Sequence, residues 1–342
     1  MDTIGMDLHK RESQLCILTD DGEVREARLV TSRDRLTAVL GGRPRARVLL
    51  EASTESEWVA QHLESLGHEV IVADPNFAPM YATRTRRVKT DRRDARTLAE
   101  ACRLGAYRPA HRLSAPQRHL RMELAVRDQL VQTRTRLVAV LKARLRALGE
   151  RLPSGMIEHT EAKLAALALL PSVRAELAPL VTLLAPLNAE IAGADARLAE
   201  WAATDPVVAR LTTAPAIGPV TAVAFVATLD EIQRFASAHQ VEAFLGLTPT
   251  EYSSGEQRRR GRISKTGNPR MRWLLVEAAW RVLRTKDPAA AALRAWAERI
   301  AARRGRSIAA VALARRLAGI LYAMWRDGTD YRAMRARAAV AA

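Results

Sequence analysis

Apolar and polar positions alternate in short runs through the first hundred residues, then give way to spacings of three and four. Residues 3–8 and 14–19 are short apolar runs, and Asp20-Asp21-Gly22 is a hairpin signal before a further strand near 24–30. A helix is predicted over 33–40 and a strand from Arg47 to Glu51. A helix over 55–66 stops at Gly67, and a strand from Val70 to Ala73 is closed by Asp74-Pro75. Hairpin strands followed by helix and strand in alternation predict an α/β unit with a mixed sheet.

Beyond residue 90 the strand signals fade. Thr90 is placed to cap a helix over 91–104 that ends at Gly105. Residues 115–150 form a long helical pattern with Leu130, Leu137, Leu141, Leu145 and Leu148 on one stripe. A second stripe runs through Val173, Leu177, Leu180, Leu184, Leu187, Ile191, Leu198 and Trp201, with coiled-coil-like spacing. Packing within one chain and pairing between chains fit it equally. Pro179 and Pro186 predict kinked or broken helices there. From 206 to 229 a helix, a tight Pro/Gly hairpin and a second helix follow, the arrangement of a helix-hairpin-helix. Asn268-Pro269 and Asp287-Pro288 each put a capping side chain before proline, so helices are expected over 269–284, 288–303 and 307–326. Three parts result: an α/β domain over 1–150, a coiled-coil-like linker over 151–205 and an all-α domain over 206–342.

Composition adds a partner. Lys plus Arg number 54 against 37 Asp plus Glu, a net charge of +17 in 342 residues. Such a surplus attracts polyanions through its long-range field and through counterion release. Codon bias accounts for Arg over Lys better than for a surplus of positive charge, and no basic amphipathic helix with an aromatic face stands out. Nucleic acid is therefore expected rather than a membrane. Two cysteines, Cys16 and Cys102, make no CxxC pattern, which argues against a zinc knuckle or a disulfide framework. The first residues carry acidic groups and no apolar run, unlike a signal peptide, and the apolar stretches around 164–191 and 214–229 are broken by Pro, Gly or charge. A cytoplasmic protein is expected.

Candidate chemistry lies in four carboxylates. Asp7 ends an apolar strand within IGMDLHK, and Glu51 ends RVLLE. A carboxylate among buried neighbours costs energy unless something binds it. Asp91 and Asp94, three apart in KTDRRDAR, share one helix face. Such oxygen ligands suit a hard divalent cation such as Mg²⁺, and a metal pair can activate and stabilise the oxygens of a phosphodiester displacement. Each residue also has a plainer reading. Asp91 and Asp94 lie among Arg84, Arg86, Arg87, Lys89, Arg92, Arg93 and Arg96, a setting for a solvated ion-pair network, while Asp7 can cap a turn and Glu51 can flank a helix start. Their order (first strand, later central strand, helix after the last strand) is that of the RNase H-like, or RuvC-like, layout.

The segments GMDLHK, LLEAS, KTDRRDARTLAE, APAIGPVTA, FLGLTPTEYSSG and SKTGNPRMRWLL together resemble the bridge-RNA-guided DEDD transposases of minimal bacterial insertion sequences, from Ile4 to about Leu275. The resemblance implies an RNase H-like domain, a coiled-coil linker and a helical transposase domain. It places the catalytic, metal-binding carboxylates on Asp7, Glu51, Asp91 and Asp94. It also implies that Ser254, in the Y-x-S-G motif, acts like the nucleophile of serine recombinases and forms a transient phosphoserine with cleaved DNA. The adjacent Ser253 leaves that assignment dependent on register. Ser253-Ser254-Gly255 otherwise reads as a loop, followed by Arg258, Arg259, Arg260, Arg262 and Lys265, which can clamp phosphate. No histidine is near to serve as base, so a composite site joining both domains, from different protomers, is expected. Ala216 stands where the hairpin turn usually has glycine, while Gly218 remains to expose backbone N–H groups to phosphate; a plain helix-packing turn fits the segment equally.

The leading expectation is a transposase that excises and inserts element DNA, guided by an RNA that pairs with target and donor. The guide RNA comes from the resemblance alone. With 4 % aromatic residues and abundant arginine, backbone contact is favoured over base stacking. A homodimer or homotetramer suits strand exchange on two duplexes, and the acting protein is expected on the nucleoid. Two other readings stand beside it: a metal-dependent junction-resolving nuclease with water as nucleophile, and a non-catalytic nucleic-acid-binding scaffold.

Overall fold

Five strands form one sheet in the first part of the chain. They are β1 (Thr3–Asp7), β2 (Glu12–Leu18), β3 (Val24–Val30), β4 (Arg47–Glu51) and β5 (Glu69–Ala73), in the order β3-β2-β1-β4-β5. β1 pairs antiparallel with β2 and parallel with β4, and β4 is parallel to β5, so the sheet is mixed as the patterning predicts. The computed structural model describes residues 1–82, 90–254 and 257–331 and, among these, the side chains outside 252–260. The chain divides into two compact units, Met1–Arg112 and Leu113–Ala342, and the long helix after residue 114 belongs to the second.

Because side chains alternate along a strand, the central strand faces two ways. Ile4 and Met6 pack with Val48 and Leu50 against Leu36 and Leu40 of α1 (Arg33–Leu40) and Val59 and Leu63 of α2 (Ser56–Ser65). The opposite face belongs to α3 (Asp91–Leu104), whose Ala95 and Ala99 pack on Cys16 and Leu18 and whose Leu98 and Cys102 pack on Leu49. Gly5 makes this packing possible. A Cβ at Gly5 would sit 2.1 Å from the Ala95 carbonyl oxygen and 2.2 Å from the Ala99 nitrogen, so the α3 backbone lies directly on β1. The helix starts where Thr90 accepts a hydrogen bond from the Arg93 N–H and ends at Gly105 in the left-handed region, φ +65°.

The second unit is built on α4 (Ala115–Ala147), followed by α5 (Thr160–Ala165), α6 (Pro171–Thr182), α7 (Leu184–Thr204), α8 (Pro206–Leu211), α9 (Pro219–Leu229) and α10 (Ala238–Phe244). After a strand pair come α11 (Pro269–Arg284), α12 (Ala291–Arg304) and α13 (Arg306–Asp327). Residues 221–229 of α9 are all buried, as an all-apolar helix requires. Around it Leu211, Met271, Leu275, Leu313, Leu317 and Leu321 complete one core. α13 is long and apolar enough for a membrane span, as is the α6–α7 stretch, yet the apolar stripe of α13 is spent on this core. α6 and α7 break at Leu183: Pro186 has no N–H to offer the Thr182 carbonyl one turn back, and its ring crowds that carbonyl.

Two expectations are corrected. The expected α4 stripe holds at Leu141 and Leu145, with Leu137 packed beside them, but the buried positions also include Leu120, Leu124, Asp128, Arg134 and Val138, and Leu148 is 53 % exposed. The full stripe escapes an apolar count because two charged residues lie in it. Arg134 reaches Asn188 (2.9 Å) and Glu158 (2.9 Å), and Asp128 pairs with Arg270. The C-terminal third is not all-α. β6 (Pro249–Ser254) and β7 (Gln257–Ile263) form an antiparallel hairpin that places Ser254 at a strand end rather than in a loop. Neither strand carries an apolar period, so only the backbone ladder reveals them. The other caps form as read: Asn268 accepts from the Arg270 and Met271 N–H groups, and Asp287 from that of Ala289, opening a single 3-10 turn before α12.

The Gly5 contact yields a direct test. Gly5→Val drives a branched side chain into the α3 backbone and costs on the order of 3 kcal/mol or more. The expected outcome is a matching fall in the urea midpoint, while Gly42→Ala, where a Cβ meets nothing within 4 Å, leaves it nearly unchanged.

Candidate active site

β1 and β4 run side by side, with Met6 opposite Leu50, so Asp7 and Glu51 follow at adjacent C-terminal ends. By alternation Asp7 shares the face of Gly5, and Glu51 that of Leu49, which is the face α3 covers. The first turn of α3 carries Asp91 and Asp94. The seating of α3 on Gly5 therefore brings all four predicted carboxylates to one corner of the sheet. Their charges act on one another. Burial pushes the Asp7 carboxyl above its ordinary range; His9 pulls against this, while Asp94, Asp91 and Glu51 add to the rise.

Two neighbours were not anticipated. His9 Nε2 lies 3.3 Å from Asp7 Oδ2 and 3.7 Å from Asp91 Oδ1, and one ligand atom from each of the three lies within 4.8 Å of the others. Its signal was the D-x-H spacing in MDLHK. The Tyr81 hydroxyl donates to Glu51 Oε1 at 2.7 Å and holds that carboxylate, a contact thirty residues apart that no local pattern announces. A cavity of about 180 Å³ opens beside Asp91, lined by His9, Arg11 and Arg28 among others. Arg28 pairs with Glu12, whereas Arg11 makes no ion pair among the described residues.

This donor set fits a divalent cation. Like charges gathered on a partly buried corner (the Asp7 side chain is 15 % exposed) raise each other's energy until a cation neutralises them, and carboxylate oxygens are the ligands hard cations take. Two of the surrounding arginines pair with acids outside the set of four. Arg92 pairs with Glu26, and Arg96 with Glu100 at 3.2 Å. Arg84, Arg86, Arg87 and Lys89 lie outside the described residues.

The remaining predicted residues lie in the second unit. Ser254 ends β6 opposite Gln257; Ser253, Tyr252 and Glu251 are opposite Arg258, Arg259 and Arg260. Gly255 and the side chains of Ser253, Ser254 and Arg258 to Arg260 lie outside what the structure describes. Arg262 and Lys265 are exposed. The hairpin base is pinned: a Cβ at Gly246 would lie 2.1 Å from the Thr266 carbonyl oxygen and one at Gly267 1.9 Å from that of Phe244. Arg272 donates to the carbonyls of Leu245 (3.2 Å), Gly267 (3.1 Å) and Thr266. The SKTGNPRMR segment thus has a structural task. Gly218 is the residue before α9, and Ala216 holds φ +64°, the conformation for which glycine is the usual choice.

Replacing Asp7 separates fold from cation. Asp7→Asn removes a buried charge, and the metal-free protein is expected to melt a few degrees higher, the scale of ~1 kcal/mol for a unit of this size. Adding Mn²⁺ or Mg²⁺ is expected to raise the melting temperature of the unaltered protein and not that of the variant, read by calorimetry.

Two family models and several known proteins match the chain. Residues 208–294 match the model described as transposase of the IS116/IS110/IS902 family, and residues 4–168 match the DEDD model of the IS110 group, described as a transposase. A probable family 20 transposase of Pseudomonas aeruginosa is 33 % identical, covering 84 % of this chain and 86 % of its own. The transposase for insertion sequence element IS1111A of Coxiella burnetii is 28 % identical (96 % and 91 % covered), and that for IS1328 of Yersinia enterocolitica 29 % (96 % and 98 %). With carboxylates at the sheet corner and relatives matched over nearly their whole length, the chain belongs to the IS116/IS110/IS902 family of transposases.

Proposed function

We propose that the protein excises and inserts an insertion-sequence element by cutting and exchanging DNA strands, with a guide RNA pairing to donor and target. The observation that carries the catalytic part is the convergence of Asp7, Glu51, Asp91 and Asp94 on one corner of the sheet. The strand order β3-β2-β1-β4-β5, with carboxylates at the ends of β1 and β4 and on the helix across them, supports an RNase H-like reading of the first unit. Asp7 and Glu51, with Asp91 and Asp94 across from them, would hold Mg²⁺. When bound, that ion supplies positive charge to the phosphate and to the oxygens entering and leaving it. Tyr81 keeps Glu51 oriented, and Arg11 offers a cation to the neighbouring strand.

Ser254 is the proposed nucleophile. Its Oγ–phosphorus bond forms as the phosphorus–oxygen bond to a deoxyribose breaks, and the serine proton ends on the departing oxygen. Attack by another strand's hydroxyl reverses the exchange and frees the serine, so no external energy is consumed. Arg262 and Lys265, exposed after the hairpin, together with Arg258, Arg259 and Arg260, are proposed to bind phosphate. The α8–α9 turn, with Gly218, is proposed as a helix-hairpin-helix contact to DNA backbone.

A nicked suicide DNA substrate tests the assignment. A covalent protein–DNA adduct on a denaturing gel is expected from the unaltered protein and from Ser253→Ala, and none from Ser254→Ala. Metal-dependent cleavage with no adduct in any of the three would instead favour a junction-resolving nuclease using water.

A further inference from the structure

One further cavity is lined by residues of neither proposed site. It occupies about 690 Å³ where the C-terminal turns of α4 meet the 151–157 segment and α5. Lys142, Arg146, Arg151 and Lys163 line it, and no carboxylate does. Several other cations of this chain are paired with acids: Arg112 with Glu57 and Glu64, Arg127 with Asp195, Arg134 with Glu158. Lys142 and Arg151 make no ion pair among the described residues. Arg146 uses Nε on the Lys142 carbonyl (3.3 Å), and Lys163 holds the loop by donating to the Met156 carbonyl at 2.8 Å.

The loop itself offers further donors. Gly155 takes φ +121°, open to glycine alone, and the N–H groups of Ser154 and Gly155, both in the cavity wall, donate no hydrogen bond among the described residues. Four cations with free backbone donors and no acid form an anion site, because like charges held together are relieved only by a counter-charge. The cavity exceeds what one phosphate needs, and its floor is Val138, Leu152 and Ile157 without an aromatic ring. That combination suits successive backbone phosphates of a strand and lacks a surface for stacking bases.

We propose that this cleft binds the phosphodiester backbone of a nucleic-acid strand, independently of sequence. Only the nature of the polyanion rests on the transposase reading. The test uses the full-length protein with Lys142→Ala and Arg151→Ala combined, both side chains being exposed. Binding of labelled duplex DNA and of single-stranded RNA is followed by fluorescence anisotropy across a salt series. The slope of log K against log salt is expected to shrink by about 2, with affinity falling roughly tenfold near 0.1 M salt, for whichever strand the cleft holds. Hydrogen exchange at Ser154 and Gly155 is expected to slow on binding in the unaltered protein, and Lys142→Arg is expected to keep the slope. A double variant with unchanged melting temperature, slope and affinity would overturn the cleft alone. Protection by inorganic phosphate but by neither nucleic acid would overturn it equally. If the unaltered protein bound neither strand, the transposase reading would fall with it.

Discussion

The candidate site depends on one close approach. Gly5 has no side chain, so α3 lies with its backbone against the central strand, and the helix start falls beside the strand end two residues on. Asp7 is on the same face of β1 as Gly5, and Asp91 and Asp94 are in the first turn of the helix that Gly5 admits. Any Cβ at that position pushes the helix away and opens the carboxylate corner. Packing and chemistry thus share a residue that carries neither charge nor reactive group.

The same corner shows how a fold keeps unfavourable charge. Asp7 is largely covered, with carboxylates rather than arginines as several of its near neighbours, and its ionised form is raised in energy. His9 relieves part of this, and a bound cation would relieve more. Elsewhere acids are matched by cations: Asp128 is held by Arg270, which also stacks on Trp273 at 4.2 Å. Burial raises both carboxyls; what differs is their company, Arg127 and Arg270 at Asp128 but one histidine and three further carboxylates at Asp7.

Much of this was legible in the sequence. Short apolar runs and turn residues marked the five strands, Thr90 and Asn268 marked their helix starts, and the carboxylate positions on strand ends and helix pointed to the corner. The hairpin of β6 and β7 was not legible, because TEYSS and QRRRGR have no apolar face and their order comes from backbone pairing. The α4 stripe was legible at Leu137, Leu141 and Leu145 but incomplete, because Asp128 and Arg134 are buried through partners about 140 and 24 to 54 residues away. Tyr81 joins the site through a tertiary contact, which periodicity does not encode, whereas His9 was open to reading from its D-x-H spacing to Asp7. The basic cleft between α4 and α5 was likewise invisible: its four cations are spread over 142–163 and meet only when the chain turns at Gly155.

The central claim is that the corner formed by β1, β4 and α3 binds a divalent cation. An anomalous difference map from crystals grown with Mn²⁺ tests it most directly. A peak coordinated by Asp7 is expected, with Glu51 or the first turn of α3 completing the ligands, and its loss in Asp7→Asn crystals. Full occupancy elsewhere with this corner empty would contradict it.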